Sequence, residues 1–173
     1  MEEKRRTDLI VEELRRLKAA GNADLAGEEK ATYVIFSLHD ELYAFEGAAV
    51  KEILLPLEIF PIPGAPPAVP GVINNRGEIE AVISLHELLG LPARERTAHS
   101  RIVMAERGGL RSGIEVDAVV DVAQLTPGAI KPPLSTLGAA ARRLVVGETN
   151  CLDKSVVVLD AGRIFELLSV QES

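Results

Sequence analysis

The chain has 173 residues, with 19 Lys and Arg against 26 Asp and Glu, and a formal net charge of −7. Nucleic-acid binding requires clustered basic residues that neutralise phosphates, so this acidic balance argues against it. The sequence contains two Tyr, four Phe and no Trp, which leaves few rings on which single-stranded bases could stack. With 47% hydrophobic residues, the chain can fold as one domain or as two small ones.

No segment predicts secretion or direct membrane insertion. The first ten residues, MEEKRRTDLI, contain no apolar signal core. The longest uncharged stretch, residues 59–75, contains five Pro residues and cannot form a spanning helix. Cys151 is the single cysteine, so an intrachain disulfide is excluded. We therefore expect a cytoplasmic protein.

The first thirty residues predict a helix and a linker. The apolar residues of segment 8–20 recur with helical spacing and form one stripe: Ile10, Val11, Leu14 and Leu17. Thr7 or Asp8 is the expected N-terminal cap, and residues 22–30 are the expected linker. A helix of about three turns is marginal alone, so we expect it to pack on its own domain rather than on another chain.

From residue 31 onward, apolar residues recur at every second position instead of every 3.6 residues, and this alternation predicts β-strands. The predicted strands are 32–38, 42–45, 49–54, 71–75, 78–85, 102–106, 112–116, 119–125, 144–150 and 155–159. Short helices are predicted at 85–89 and 163–170. A loop at 56–70 contains six Pro residues, which cannot donate to a central strand ladder.

The same order of elements occurs twice. A shift of 69 residues places 50–53 on 119–122, and a shift of 76 residues places Gly71 on Gly147. Because closure removes exposed edges, five short strands per half predict a mainly β protein with two antiparallel barrels. Each half of about 65 residues would be marginal alone, so we expect a substantial apolar contact between them.

This pattern predicts a division of the chain. The expected parts are the helix and linker at 1–30 and a β domain at 31–173, with subdomain 1 at about 31–90 plus the final helix 163–170, and subdomain 2 at about 99–160. Five of the six aromatic residues lie in the first unit, and the sixth is Phe165 in the final helix. We therefore expect an aliphatic core in the second barrel and a final helix that packs on the first.

The residues that most often perform catalysis or bind metals form no motif. No two of His39, His86 and His99 are spaced i, i+4 as in a helical zinc site. Cys151 lies in a predicted turn without a Cys–His motif, and the glycine pair at 108–109 lacks the residues of a phosphate loop. We expect no catalytic residue, no metal and no cofactor. A small-molecule barrel that uses His86 or Cys151 is an alternative.

The most informative segments are GVINNRG at 71–77 and VKEI at 50–53. Arg76 lies at the tip of a predicted hairpin, where Gly77 can adopt a positive φ. If Glu52 and Arg76 meet, an exposed pair contributes only ~0.2–1 kcal/mol, so it would orient a surface more than it would stabilise the fold. A polar pair amid Val and Ile indicates a protein-binding patch, and the alternative is a solvated turn arginine.

The chain resembles the CheW family, the adaptors of bacterial chemosensory arrays, over about residues 32–170. The matching segments are YVIFSLHDELYAF (33–45), AVKEI (49–53), PGVINNRGEIEAVISL (70–85), SGIEVDAVVDV (112–122), QLTPGAIKPP (124–133) and VVGETNCLDKSVVVLDAGRIFELL (145–168). The family motif G-V-x-N-x-R-G-x-x-x-x-V-I-x-L occurs in order between the other segments.

The resemblance implies two five-stranded SH3-like barrels and a non-enzymatic scaffold that couples chemoreceptors, the methyl-accepting chemotaxis proteins, to a CheA-type histidine kinase. In the family, the groove between the barrels receives the helical hairpin tip of the receptor, and the barrels contact the regulatory domain of the kinase. By motif position, the binding residues are Val50, Glu52, Ile53, Gly71, Asn74, Asn75 and Arg76. The alternative is a divergent regulator or decoy of such a kinase, for example in a pili or motility pathway.

The sequence departs from the family pattern at four positions. Asn75 stands where Leu is usual, and Glu80 replaces a residue that is usually apolar. Ser84 and His86 occupy positions that often hold Asp and Arg. The N-terminal helix is a further addition.

Overall fold

The computed structural model describes residues 2–19, 29–133 and 136–171, which form four α-helices, two short 3-10 helices and ten strands. The helices are α1 (Glu2–Ala19), α2 (Leu85–Leu89), α3 (Ala139–Arg142) and α4 (Ala161–Gln171). The strands are β1 (Ala31–Leu38), β2 (Glu41–Glu46), β3 (Val50–Leu54), β4 (Gly71–Asn75), β5 (Glu78–Ser84), β6 (Arg101–Arg107), β7 (Leu110–Val116), β8 (Ala118–Leu125), β9 (Val145–Cys151) and β10 (Lys154–Leu159). All ten predicted strands are therefore confirmed, whereas α3 was not predicted.

The strands form two five-stranded sheets. Sheet I has the order β8-β1-β2-β10-β9, and sheet II has the order β3-β6-β7-β5-β4. The expected mainly β architecture with two five-stranded units is confirmed. Each sheet is mixed rather than antiparallel, because β2 pairs in parallel with β10 and β5 pairs in parallel with β7. The pairing among the described residues leaves both sheets open at their outer strands, so each is a barrel only approximately.

The repeat in the sequence has a counterpart in the strand pairing. Gly71 pairs with Val82 in the β4–β5 hairpin, and Gly147 pairs with Val158 in the β9–β10 hairpin. The order of the strands is also equivalent in the two sheets. Strands β8, β1, β2, β10 and β9 of sheet I correspond, in that order, to β3, β6, β7, β5 and β4 of sheet II. The two halves of the chain therefore use the same local pairing.

The two halves exchange their first hairpins. The β1–β2 hairpin joins β8, β9 and β10 in sheet I, while the β6–β7 hairpin joins β3, β4 and β5 in sheet II. Neither sheet therefore follows the expected division into 31–90 and 99–160. The physical reason is that equivalent hairpins present the same alternating pattern, so local periodicity does not specify which sheet a hairpin joins.

The apolar side chains fill three cores. The largest lies between the sheets and includes Phe36 and Phe45 of sheet I, Val103 and Ile114 of sheet II, and Phe165 of α4. This core is the apolar contact expected between the two units. A smaller core on the other face of sheet I contains Tyr33, Ile35, Leu42, Ala44, Val156 and Val158. The core on the other face of sheet II is aliphatic and contains Ile73, Val82, Ile102 and Met104. It therefore combines strands from both halves, rather than lying within 99–160.

The terminal helices pack on this framework. α1 begins at Glu2, before the predicted start at residue 8. Thr7 lies inside α1, where its hydroxyl donates to the Glu3 carbonyl oxygen at 3.0 Å, so the expected cap at Thr7 or Asp8 is wrong. The expected linker falls largely on residues 20–28, outside the described residues. α4 contacts β6 and therefore packs against sheet II. None of the described helices is long and apolar enough to cross a membrane.

Gly71→Ala and Gly147→Ala are each expected to lower the free energy of unfolding by about 1–3 kcal/mol, the usual cost of overpacking. A Cβ atom at Gly71 would lie 2.2 Å from the Phe60 carbonyl oxygen, and one at Gly147 would lie 2.2 Å from the Lys131 carbonyl oxygen. Urea denaturation measures the change. Gly128→Ala is the control because nothing lies within 4 Å of its Cβ position. Equal stabilities for the three variants would contradict the prediction.

Candidate protein-binding site

The β4–β5 turn holds an exposed arginine. Arg76 and Gly77 have φ values of 54° and 90°, the positive values that a two-residue hairpin turn of the primed type requires. The Asn74 side-chain oxygen accepts a hydrogen bond from the Gly77 backbone N–H at 2.8 Å. The Arg76 side chain is 76% exposed. The predicted position of Arg76 at a hairpin tip is therefore confirmed.

The Glu52 carboxylate of β3 contacts three donors, which come from β4, from the β4–β5 turn and from β7. Asn75 Nδ2 donates to Glu52 Oε1 at 2.6 Å, and the Arg76 guanidinium donates to Glu52 Oε2. Arg111 Nη2 lies 3.4 Å from Glu52 Oε1. Hydrogen bonds to an ionised acceptor are stronger than neutral ones, so Glu52 fixes the side chains around it. The expected meeting of Glu52 and Arg76 is present.

A second carboxylate extends this cluster. Arg111 Nε lies 3.0 Å from Glu80 Oε1, so Arg111 bridges Glu52 and Glu80. Arg111 and Glu80 are neighbours because β5 and β7 run in parallel, with Val82 opposite Gly113. Sequence reasoning missed both partners, since no local signal predicts which strand lies beside β5. We call Glu52, Asn75, Arg76, Glu80 and Arg111 the Glu52 network.

The seven predicted binding residues divide by exposure. Those that reach the surface are Asn74, Arg76 and, in part, Glu52, whose side chain is 20% exposed. Those that are buried are Val50, Ile53, Gly71 and Asn75. Val50 and Ile53 belong to the core between the sheets, and Gly71 faces the Phe60 backbone. The exposed surface of the site is therefore polar and centred on Arg76.

Cys151 and His86 are the other candidate residues in the sequence. Burial raises the pKa of the Cys151 thiol above its ordinary value, and the Asp121 carboxylate raises it further. A protonated thiol is a poor nucleophile at neutral pH. Within residues 2–19, 29–133 and 136–171, no group of three or more His, Cys, Asp or Glu is placed to hold a metal ion. The Glu52 network, by contrast, offers charged groups suited to recognising a protein surface.

Comparison with known proteins gives the family. The protein-family model of the CheW-like domain matches residues 32–169 of this chain. The chain belongs to the CheW-like domain family. The chemotaxis protein CheW of Treponema pallidum is 28% identical over 151 residues, covering 84% of this chain and 88% of that protein. The chemotaxis protein CheW of Bacillus subtilis is 34% identical over 89 residues, covering 51% of this chain and 57% of that protein.

A solved structure shows the same architecture. The crystal structure of the scaffolding protein TtCheW from Thermoanaerobacter tengcongensis superimposes with a TM-score of 0.68. The two chains are 32% identical, and the match covers 75% of this chain and 88% of that one. The fold described above is therefore that of a CheW-like scaffold.

The four departures from the CheW-like pattern each have a local contact. Asn75 and Glu80 belong to the Glu52 network. The Ser84 hydroxyl accepts from the Glu87 backbone N–H at 3.4 Å and caps α2. The buried His86 ring packs edge-on against His39, with ring centroids 5.2 Å apart, and its Nε2 lies 3.2 Å from an Asp117 carboxylate oxygen. Each replacement therefore has a neighbouring polar group or ring, although the buried His86 Nε2 makes no hydrogen bond within the described residues.

Asn75→Ala is expected to destabilise the protein more than Arg76→Ala. Asn75 is 7% exposed, and its loss removes a hydrogen bond to a carboxylate, which costs about 1–3 kcal/mol. Arg76 forms an exposed ion pair, whose loss costs about 0–1 kcal/mol. Urea denaturation of the two variants measures both changes, and a larger loss for Arg76→Ala would contradict this account of the network.

Proposed function

We propose that the protein is a non-enzymatic adaptor that couples chemoreceptors to a CheA-type histidine kinase in chemotaxis signalling. The observation that carries the proposal is the Glu52 network, which holds the exposed Arg76 at a hairpin tip of a CheW-like fold. The names of the relatives, chemotaxis and scaffolding proteins, support the same pathway. The proposed partners are the cytoplasmic hairpin tip of the receptor and the regulatory domain of the kinase.

The geometry of Arg76 suits it to protein recognition. Glu52 holds one side of the guanidinium, and the side chain remains largely exposed, so its other N–H groups can donate to a partner. A side chain that is already positioned loses less conformational entropy on binding. Asn74 lies beside it, with its carbonyl oxygen bonded to the turn and its amide nitrogen available as a donor. Both residues would contact the partner at the inner face of the membrane, in the cytoplasm.

Arg76→Ala is expected to weaken co-sedimentation with receptor cytoplasmic fragments by about tenfold, the effect of losing an arginine hot spot. Glu52→Gln should weaken it less, because Arg76 remains but loses its ionic partner. Arg163→Ala is the matched control, since Arg163 of α4 is a half-exposed arginine in an ion pair with Asp160, the residue before the helix. Unchanged binding by Arg76→Ala, with the control also unchanged, would reject the proposed site.

A kinase assay separates the adaptor from a stand-alone regulator or decoy. An adaptor raises kinase activity when receptor fragments are present, because it brings receptor and kinase together. A decoy lowers kinase activity whether or not receptor is present. We expect the wild-type chain to raise activity only with receptor fragments, and Arg76→Ala to lose that increase. Inhibition in both conditions would favour the decoy.

A further inference from the structure

Two arginines lie against one carboxylate in the Glu52 network. The Arg76 guanidinium donates to Glu52 Oε2, while Arg111 Nη2 lies 3.4 Å from Glu52 Oε1. Asn75 Nδ2 also donates to Oε1, at 2.6 Å. A guanidinium carries five donors in a planar fork and often binds a carboxylate through two of them. Arg111 is therefore close enough to contend with Arg76 for the oxygens of Glu52.

A second carboxylate keeps Arg111 from full contact with Glu52. Arg111 Nε lies 3.0 Å from Glu80 Oε1, a shorter distance than the one from its Nη2 to Glu52. The Glu80 side chain is 11% exposed and that of Glu52 is 20% exposed. Because an ion pair shielded from water is screened less than an exposed one, Glu80 holds Arg111 more strongly than Glu52 does. Glu52 Oε2 is thereby left to Arg76.

The position of Glu80 explains why it needs Arg111. Glu80 lies opposite Ile73 in the β4–β5 hairpin, and Ile73 is fully buried. A carboxylate in such surroundings costs free energy unless it is paired, and Arg111 is the ion-pair partner that the structure gives it. Glu80 also replaces a residue that is usually apolar in the CheW-like pattern. The family fold therefore does not require a charge at this position, and its contact in this chain is with the Glu52 network.

The side chains of the network have room to rearrange. A cavity of about 250 Å³ beside the β4–β5 turn is lined by Glu52, Asn75, Arg76, Glu78 and Arg111. The Arg111 side chain is 33% exposed, so it can turn within this space without displacing a core residue. Arg76 is the more exposed of the two arginines, and a partner that reaches the cavity meets Arg76 in the orientation that Glu52 gives it.

We propose that Glu80 is a positioning residue for receptor binding, because by holding Arg111 it reserves Glu52 for Arg76. This inference rests on the proposed adaptor function and deepens the description of its site. Without the charge of Glu80, Arg111 moves onto both oxygens of Glu52, and Arg76 loses its ionic partner. An Arg76 side chain that is no longer held loses more conformational entropy when it binds the receptor tip.

Glu80→Gln is expected to weaken co-sedimentation with receptor cytoplasmic fragments about fivefold, since ordering one flexible side chain at an interface has roughly that effect. The substitution removes the charge and keeps the shape. Glu106→Gln is the matched control. Glu106 lies opposite Arg111 on β6, so the same charge is removed beside the same arginine, whereas the ion pairs of Arg111 are with Glu52 and Glu80. The control should bind like the wild type.

The double variant Glu80→Gln/Arg111→Gln separates positioning from general support of the site. It removes the arginine that contends for Glu52, and it leaves neither of the two altered positions with an unpaired charge. Arg76 should then return to Glu52, and binding should recover to within about twofold of the wild type. A residue that only supports the site would give a double variant as weak as Glu80→Gln or weaker, and that result would overturn the inference.

NMR relaxation of the arginine side-chain N–H groups gives a readout that does not need the receptor. We expect the Arg76 side chain to be ordered in the wild type and in the double variant, and mobile on the ps–ns timescale in Glu80→Gln. If Glu80→Gln fails to fold, Glu80→Met carries both tests. Met removes the charge with little change in shape and suits the apolar neighbour Ile73, and it should cause the same loss of order and of binding.

The outcomes separate this inference from the proposed function. If Glu80→Gln binds receptor fragments as the wild type does, or loses binding while Arg76 stays ordered, Glu80 does not act through Arg76. The inference then fails while the adaptor function stands. If the wild type itself does not bind receptor fragments, the proposed function fails and takes with it the role of Glu80 in receptor binding.

Discussion

This fold depends on one constraint. The first hairpin of each half of the chain pairs in parallel with a strand from the other half. Val158 lies opposite Ala44 in sheet I, and Val82 lies opposite Gly113 in sheet II. Gly113 also leaves room for the Ile102 side chain of β6, because a Cβ there would lie 2.7 Å from an Ile102 side-chain carbon. Neither half contains all the strands of a sheet. Each half therefore needs the other to satisfy its backbone donors and acceptors, and the core between the sheets joins them.

The proposed binding surface depends on the same exchange. Glu52 and Glu80 come from the first half of the chain, whereas Arg111 comes from the hairpin that the second half contributes to sheet II. Without Arg111, Glu52 and Glu80 would lie near one another with less positive charge to balance them. Together with Arg76, the cluster contains two carboxylates and two guanidinium groups. This balance lets the exposed Arg76 remain beside buried apolar strands.

The groove between the outer strands β3 and β8 is a second consequence of the two-sheet arrangement. It presents an apolar core edge and the buried Arg101 side by side, and α1 matches both with Leu14 and Thr7. The amphipathic pattern of α1 predicted that it needs a surface to cover. The Arg101 contacts explain why the helix extends to Glu2, because Glu3 in its first turn is bonded to Arg101 and lies beside His99.

Local patterns in the sequence were sufficient for the ten strands, the repeat and the turn that presents Arg76. Alternation with period 2 depends on neighbouring residues alone, and Arg76-Gly77 is a turn signal of two residues. Only the tertiary structure determines which strands the hairpins pair with. It also places Arg111 against Glu80 and buries Ile53 beneath α1. These features join residues far apart in the chain, and two equivalent hairpins carry the same local pattern. Only packing in three dimensions distinguishes between them, because a strand's periodicity defines its faces and not its neighbour.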